Sequence, residues 1–350
     1  MLRCLKFGPN RILLSRVIVR TSQPDRQMST SMISIAKILA RKIQQDCKIM
    51  ANRYPNLKNP HLKTMKSDFL YHINVNVADT DNPTEIREKF GDVKVVCMGG
   101  TKNRMLALAE HVRTLLGLDD KQELVDIAEA GNRYAIYKVG PVLCCSHGVG
   151  MSTMSVVLHE LLKLVHYAQC DDPVFIRLGT SGGVGVAPGT VVVTKEAYNG
   201  YLRNEHEIAI LGKKVLRPAI FDEQVAKDLM TCSSYQRDYE IVWGNTMAAE
   251  CFYEGQGRLD GASCDYTEAD KMAFLQRAFE KGIRNIEMEA TMFSALTRHV
   301  GVKAADVCVT LLNRLNGDQV LLTKEQKEDF EHRPFTIVGE YIKKAVMPSK

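Results

Sequence analysis

The 350-residue chain contains no stretch approaching the roughly 18–20 uninterrupted apolar residues that a membrane-spanning helix needs. It also lacks an internal repeat, a low-complexity tract and a sustained heptad pattern, which removes solenoid, collagen-like and coiled-coil architectures. Ten cysteines are present, but none forms a C-x-x-C pair, so zinc-ligand spacing is missing and no metal is expected. Several of them, Cys97 and Cys308 among them, sit inside apolar runs and read as buried free thiols of a reducing compartment. A basic surplus is lacking too. Lys and Arg number 46 against 41 Asp and Glu, a net charge of +5. Five of those bases (Arg3, Lys6, Arg11, Arg16 and Arg20) lie in the acid-free segment 1–24, so the remainder is neutral and nothing argues for a nucleic-acid surface.

What is present is an ordinary globular composition, 45% apolar and 25% charged, long enough for a sizeable core. Residues 1–60 read as a basic, largely disordered arm, and 61–347 as the folded domain. The composition of residues 1–24 fits a mitochondrial presequence; the alternative is a tail preceding a later start at Met28 or Met32, with a cytosolic protein as the expectation. Residues 33–52 are a helix candidate, ended by Pro55 and Pro60. Beyond them strands and helices alternate. Strands are expected over 93–98, 134–139, 142–146, 173–178, 189–198, 240–243, 285–288 and 303–312. Helices are expected over 105–116, 152–168, 222–231, 267–281, 290–299 and 325–345. Mixed elements with glycine-rich strand ends mean an α/β fold whose ligands sit at the carboxyl ends of strands.

Four strand ends carry unusual polar content. Cys97-Met98-Gly99-Gly100-Thr101-Lys102-Asn103-Arg104 places glycines between a strand and a helix start, where backbone amides and Arg104 can meet an anion. It matches neither a dinucleotide fingerprint nor a P-loop, and reads equally as an ordinary turn. Arg177-Leu178-Gly179-Thr180-Ser181-Gly182-Gly183 puts an arginine inside an apolar strand, where it needs a partner: a structural carboxylate or a bound anion. Phe252-Tyr253-Glu254-Gly255-Gln256-Gly257-Arg258 follows a strand expected to end at Trp243. It offers an aromatic face, an amide with donor and acceptor, and a guanidinium, or else a solvated loop. Glu287-Met288-Glu289 sets two carboxylates on one side of a strand, unless Glu289 begins a helix. His147 and His159 read as packing residues.

Taken together, these strings resemble the uridine phosphorylases of the nucleoside phosphorylase family, the animal type in particular. The likeness also includes Tyr134 through Leu143, Ser146-His147-Gly148-Val149-Gly150, and Val307 through Arg314, and runs from about Pro60 to Lys344. It implies a single-domain three-layer fold, a central mixed β-sheet flanked by helices. It also implies phosphorolysis of uridine, and of deoxyuridine as well, to uracil and a pentose 1-phosphate, without a metal or cofactor. By position, Gly100, Arg104, Arg177 and Thr180 look like phosphate ligands, and Arg133 like one supplied across a homodimer interface. His72 resembles a second residue lent by the neighbouring subunit. Gln256 and Arg258 resemble the uracil readers, Phe252 the stacking face, and Leu311 and Leu312 the apolar wall. Glu289 and Met288 resemble ribose contacts, with Glu287 and Gly182 beside the substrate. Purine-cleaving relatives place an acid where this chain has Leu312-Asn313-Arg314, which favours a pyrimidine.

Overall fold

In the computed structural model, residues 57–119, 123–232 and 237–347 are described; the basic segment 1–24 and the helix candidate over 33–52 lie outside them. A 3-10 turn at Pro60–Thr64 leads into the strand pair β1 (Asp68–Leu70) and β2 (Val75–Val77), then helix α1 (Thr84–Phe90). Next come β3 (Val95–Gly99), α2 (Lys102–Leu115), the hairpin β4 (Ile136–Val139) and β5 (Val142–Ser146), and α3 (Met151–Tyr167). The chain continues through β6 (Val174–Gly183), β7 (Val191–Tyr198), a hairpin of β8 (Glu205–Ile210) and β9 (Lys213–Pro218), α4 (Glu223–Cys232) and β10 (Ile241–Ala248). It ends with α5 (Glu268–Glu280), β11 (Ile283–Glu287), α6 (Ala290–His299), β12 (Lys303–Asn313) and α7 (Lys324–Val346).

Side-chain alternation in β3 explains the layering. Val95 and Cys97 point into a core shared with α2, α4 and α7, whereas Val96 and Met98 point into one shared with α3 and α6. A strand buried on both faces reads as a continuous apolar run, which is how Val95-Val96-Cys97-Met98 reads. The sheet has eight strands in the order β11-β10-β7-β12-β6-β3-β5-β4, with parallel and antiparallel pairs mixed. It also folds back on itself: β11 pairs antiparallel with the far end of β6 through Asn285–Gly183 and Ile286–Gly182. Strands β11, β10, β7, β12 and β6 thereby close a ring.

That closure needs β6 to run further than its apolar segment. The strand was expected to stop at Leu178, but it continues to Gly183 because β12 pairs with it from Lys303–Val174 through Asn313–Gly183. The glycines there make room: a Cβ at Gly179 would lie 2.8 Å from the Arg177 guanidinium, and one at Gly182 2.9 Å from the Arg314 side chain. Likewise Gly244-Asn245-Thr246, read as a loop, lies inside β10 at a register shift. The β8–β9 hairpin is absent from the sequence reading because its turn uses Leu211 and Gly212, both at positive φ (49° and 74°), where Asn-Gly would have been the signal.

Phe175 on β6 is fully buried in the core beneath α3 and α6. Phe175→Ala is expected to cost about 3–5 kcal/mol, seen as a lower urea midpoint with unchanged slope at fixed protein concentration.

Candidate active site

A cavity of about 260 Å³ opens at the carboxyl ends of β3, β6, β11 and β12. Its walls contain every residue singled out from the sequence except His72 and Arg133: Gly100, Arg104, Arg177, Thr180, Gly182, Phe252, Gln256, Arg258, Glu287, Met288, Glu289, Leu311 and Leu312.

One end is built by the turns that follow β3 and β5. Thr101 caps α2 by accepting from the Arg104 amide at 3.3 Å, which sets Arg104 in the first helical turn next to Gly100. Arg104 donates through Nη2 to Glu331 on α7 at 3.0 Å, while its buried Nε has no partner. After β5 the chain turns through Gly148 and Gly150 at φ of 74° and 91°, conformations that favour glycine. The Gly150 amide is thereby aimed at Glu289. His147, just before this turn, is 1% exposed and lines the cavity, with neither ring nitrogen hydrogen-bonded. Its burial fits the packing reading; its place in the cavity wall does not.

Arg177 is the centre of the site's charge. It is 3% exposed and pairs with Glu287 at 3.0 Å, Asp306 at 2.8 Å and, more closely, Glu289. Both terminal nitrogens are thus engaged, and the carboxylate reading of this arginine holds; its Nε, also buried, has no partner. The Glu-Met-Glu segment combines the two readings given to it. Glu287 ends β11 and accepts from the amides of Glu289 and Ala290, so it caps α6, and Glu289 occupies the residue before that helix. Burial, reinforced by the charges of Glu289 and Asp306, pushes the Glu287 carboxyl well up despite Arg177. Burial also acts upward on Glu289, but Arg177, His147 and the Gly150 amide outweigh it and hold Glu289 below the ordinary range. The shared environment therefore keeps Glu289 an anion and places the pair's first proton on Glu287.

Behind Arg177, polar side chains fill the closed ring. Asp306 meets Thr194 at 2.7 Å, Thr194 meets Thr246 at 2.6 Å and Thr246 meets Asn285 at 2.7 Å, three contacts sharing the two hydroxyl protons, and Asn285 donates to Ser181 at 3.1 Å. All five are buried, so each bond spares a desolvation cost of about 1–3 kcal/mol.

The other end is formed by the 252–260 loop and the segment after β12. Gln256 is 4% exposed; Arg314, fully buried, donates to its side-chain oxygen at 3.4 Å and to its carbonyl at 2.9 Å. Asp260 grips Arg258 bidentately at 2.8 and 2.6 Å, and the Asp318 carbonyl accepts from the same guanidinium at 2.8 Å. Phe252 lies 4.5 Å beneath Arg258. Leu311, Leu312 and Val320 complete an apolar wall. An acid does stand close by, Asp318, yet it is committed. Burial works against its charge, but the Leu259 amide, Lys271 and Arg314 hold its carboxyl below the ordinary aspartate range. It has no proton to give a base at neutral pH.

His72 and Arg133 lie elsewhere, and together. His72 is held by Glu160, which accepts from Nδ1 at 2.8 Å and from the His72 and Ile73 amides. A Cβ at Gly131 would lie 2.7 Å from the His72 carbonyl, so the turn carrying exposed Arg133 abuts this segment. The sequence reading missed His147, Asp306, Arg314 and Asp318 as parts of the site. Arg314 directly follows β12 and His147 directly follows β5, where the strand-end rule pointed; Asp306 and Asp318 carried no local signal. A larger cavity, about 430 Å³, lies behind the loop, lined by Glu207, Glu250, Glu254 and Asp270. Its single cation, Lys271, is bound to Asp318, so it offers no anion site.

A sequence model of the phosphorylase superfamily matches residues 94–343. The mouse protein "Uridine phosphorylase 1" is 45% identical over 291 residues, 83% of this chain and 92% of that protein. "Inactive uridine phosphorylase B" of Schistosoma mansoni is 38% identical over 82% of this chain and 95% of its own. The crystal structure of uridine phosphorylase from Schistosoma mansoni in complex with thymidine superposes with a TM-score of 0.78 at 40% identity, covering 82% of this chain and 97% of that one. A matched fold, a shared family model and identity of this extent over most of both lengths leave one placement: the chain belongs to the phosphorylase superfamily, among the uridine phosphorylases.

Proposed function

We propose that this protein catalyses the reversible phosphorolysis of uridine, in which a phosphate oxygen bonds to the ribose C1′ as the bond to uracil N1 breaks. The reading is carried by one observation: a single cavity joins unpartnered arginine nitrogens at one end to a Gln–Arg pair over an aromatic face at the other. A buried donor without an acceptor costs about 1–3 kcal/mol, which an anion at Arg104 and Arg177 would recover. Gly100 and Thr180 line the same wall. With phosphate held there, most of its contribution is orientation of the nucleophile.

As the glycosidic bond lengthens, the ribose gains positive charge and the base negative charge. Glu289, kept ionised, accepts from the 2′- and 3′-hydroxyls and opposes the ribose charge, with Met288 and Glu287 beside it. Gln256 and Arg258 stabilise the departing uracil, with Phe252 on its face and Leu311, Leu312 and Gly182 shaping the slot. No acid is needed for a pyrimidine leaving as its anion.

The homodimer reading rests on His72 and Arg133: neither lines this chain's own cavity, and they sit side by side where they can enter a partner's. Deoxyuridine is a further substrate in this reading, at lower rate for want of one hydroxyl at Glu289. A cytosolic location remains the expectation for the whole chain.

Uracil release from uridine followed by absorbance is expected only when phosphate is added; release without it means hydrolysis, and saturable uridine binding without release means a binding protein. Gln256→Ala is expected to lower kcat/KM for uridine about 10²–10³-fold while leaving the phosphate KM nearly unchanged. Glu289→Ala is expected to reduce the preference for uridine over deoxyuridine, measured as the ratio of their kcat/KM values. Mixing and reassociating inactive Arg133→Ala and Arg258→Ala proteins is expected to restore about a quarter of wild-type activity, because each mixed dimer then holds one complete site; no recovery rejects a shared site.

A further inference from the structure

His147 is buried in the cavity wall, and both ring nitrogens lack a hydrogen-bond partner. Such a group is expensive to keep, because a buried polar atom that loses its water gains nothing in return without a partner. Its surroundings show which part of the substrate it faces. Its amide donates to the Gly99 carbonyl at 2.8 Å, which fixes it against the turn that ends β3 and begins the Gly100–Arg104 segment. The charged groups acting on its ring are Glu289, Arg177 and Arg104. Arg258 and Arg314, at the opposite end, are not among them.

From this placement we propose that His147 is a further substrate-contacting residue, binding the phosphate nucleophile through a ring nitrogen beside Arg104 and Arg177. The assignment rests on the phosphorolysis reading above and extends it. Burial, aided by the two arginines and opposed by Glu289, pushes the imidazole down to about 4, so it is uncharged at neutral pH. An uncharged imidazole carries one N–H donor and one acceptor lone pair. It can donate to a phosphate oxygen, or accept from the hydroxyl that monohydrogen phosphate retains, without adding a further full charge that would quench the nucleophile. The Gly148 backbone lies near enough to favour the charged ring slightly, but no protein group meets either nitrogen with good hydrogen-bond geometry, so a ring nitrogen remains for that bond. The glycine at 148, at positive φ, turns the chain immediately after the ring is set.

The test is a comparison of His147→Leu and His147→Gln with wild type at saturating uridine. For His147→Leu the phosphate KM is expected to rise about ten- to a hundredfold, the value of one hydrogen bond to a charged group, while the uridine KM stays within about twofold. His147→Gln, which keeps a donor and an acceptor, is expected to recover most of the loss. A purely structural histidine would move both KM values together and gain nothing specific from glutamine. If His147→Leu fails to fold, wild-type protein with ¹³C-labelled histidine is titrated with inorganic phosphate. A ring resonance that shifts saturably, and is missing from His147→Gln, supports the contact. An unchanged phosphate KM in His147→Leu, or no moving resonance in a wild type whose reaction requires phosphate, overturns the contact alone. Uridine cleavage by wild type without phosphate overturns the contact and the function together.

Discussion

A single guanidinium buried among three carboxylates is the constraint around which this molecule is arranged. Arg177 comes from β6, Asp306 from β12, Glu287 from the end of β11 and Glu289 from the start of α6. An isolated charge in such a place would cost several kcal/mol, so the four must arrive together or not at all. Three potential anions against one cation leave a surplus of negative charge, relieved by raising Glu287 rather than Glu289. Glu289 is held below the ordinary carboxylate range while Glu287, which caps the helix, is pushed above it. Stability and chemistry are here served by the same atoms.

The closing of the sheet follows from that cluster and also supplies it. The β11–β6 pairing brings Glu287 within reach of Arg177, and the polar chain from Asp306 through Thr194, Thr246 and Asn285 to Ser181 threads the ring that the pairing completes. Among the described residues a few buried polar atoms are left unmatched, and four of them gather at the cavity: Arg104 Nε, Arg177 Nε and the two nitrogens of His147, with Arg87 Nε and Asn245 Oδ1 elsewhere. Buried polar atoms normally find partners, so four exceptions gathered in one wall mark where a ligand completes the set.

The opposite end obeys a different logic. Gln256 and Arg258 arrive at the cavity already bound, Gln256 to Arg314 and Arg258 to Asp260 and the Asp318 carbonyl. Those bonds hold the two side chains in place and leave the remaining hydrogen-bonding capacity for the base. An end with open donors suits an ion with many oxygens, and an end with fixed geometry suits a flat heterocycle read by its edge. The second arrangement also shows why Asp318, though acidic and close, is a scaffold and not an acid.

The sequence by itself determined the α/β class, every helix but α1, most strand cores and the glycine-rich strand ends where the cavity lies, because apolar periodicity and turn residues are local signals. Through its resemblance to the uridine phosphorylases it also pointed to thirteen residues that line one cavity. Tertiary structure alone decided the rest. The extension of β6 through Gly183 depends on a partner strand more than 120 residues away in sequence, which no local pattern encodes. That Arg177 has carboxylate partners emerged only when Asp306 and the two glutamates converged on it from other elements, and their presence does not occupy its Nε. His147 looks like any histidine beside a helix until the fold buries it without partners, since burial and the absence of a hydrogen bond are properties of neighbours and not of the residue.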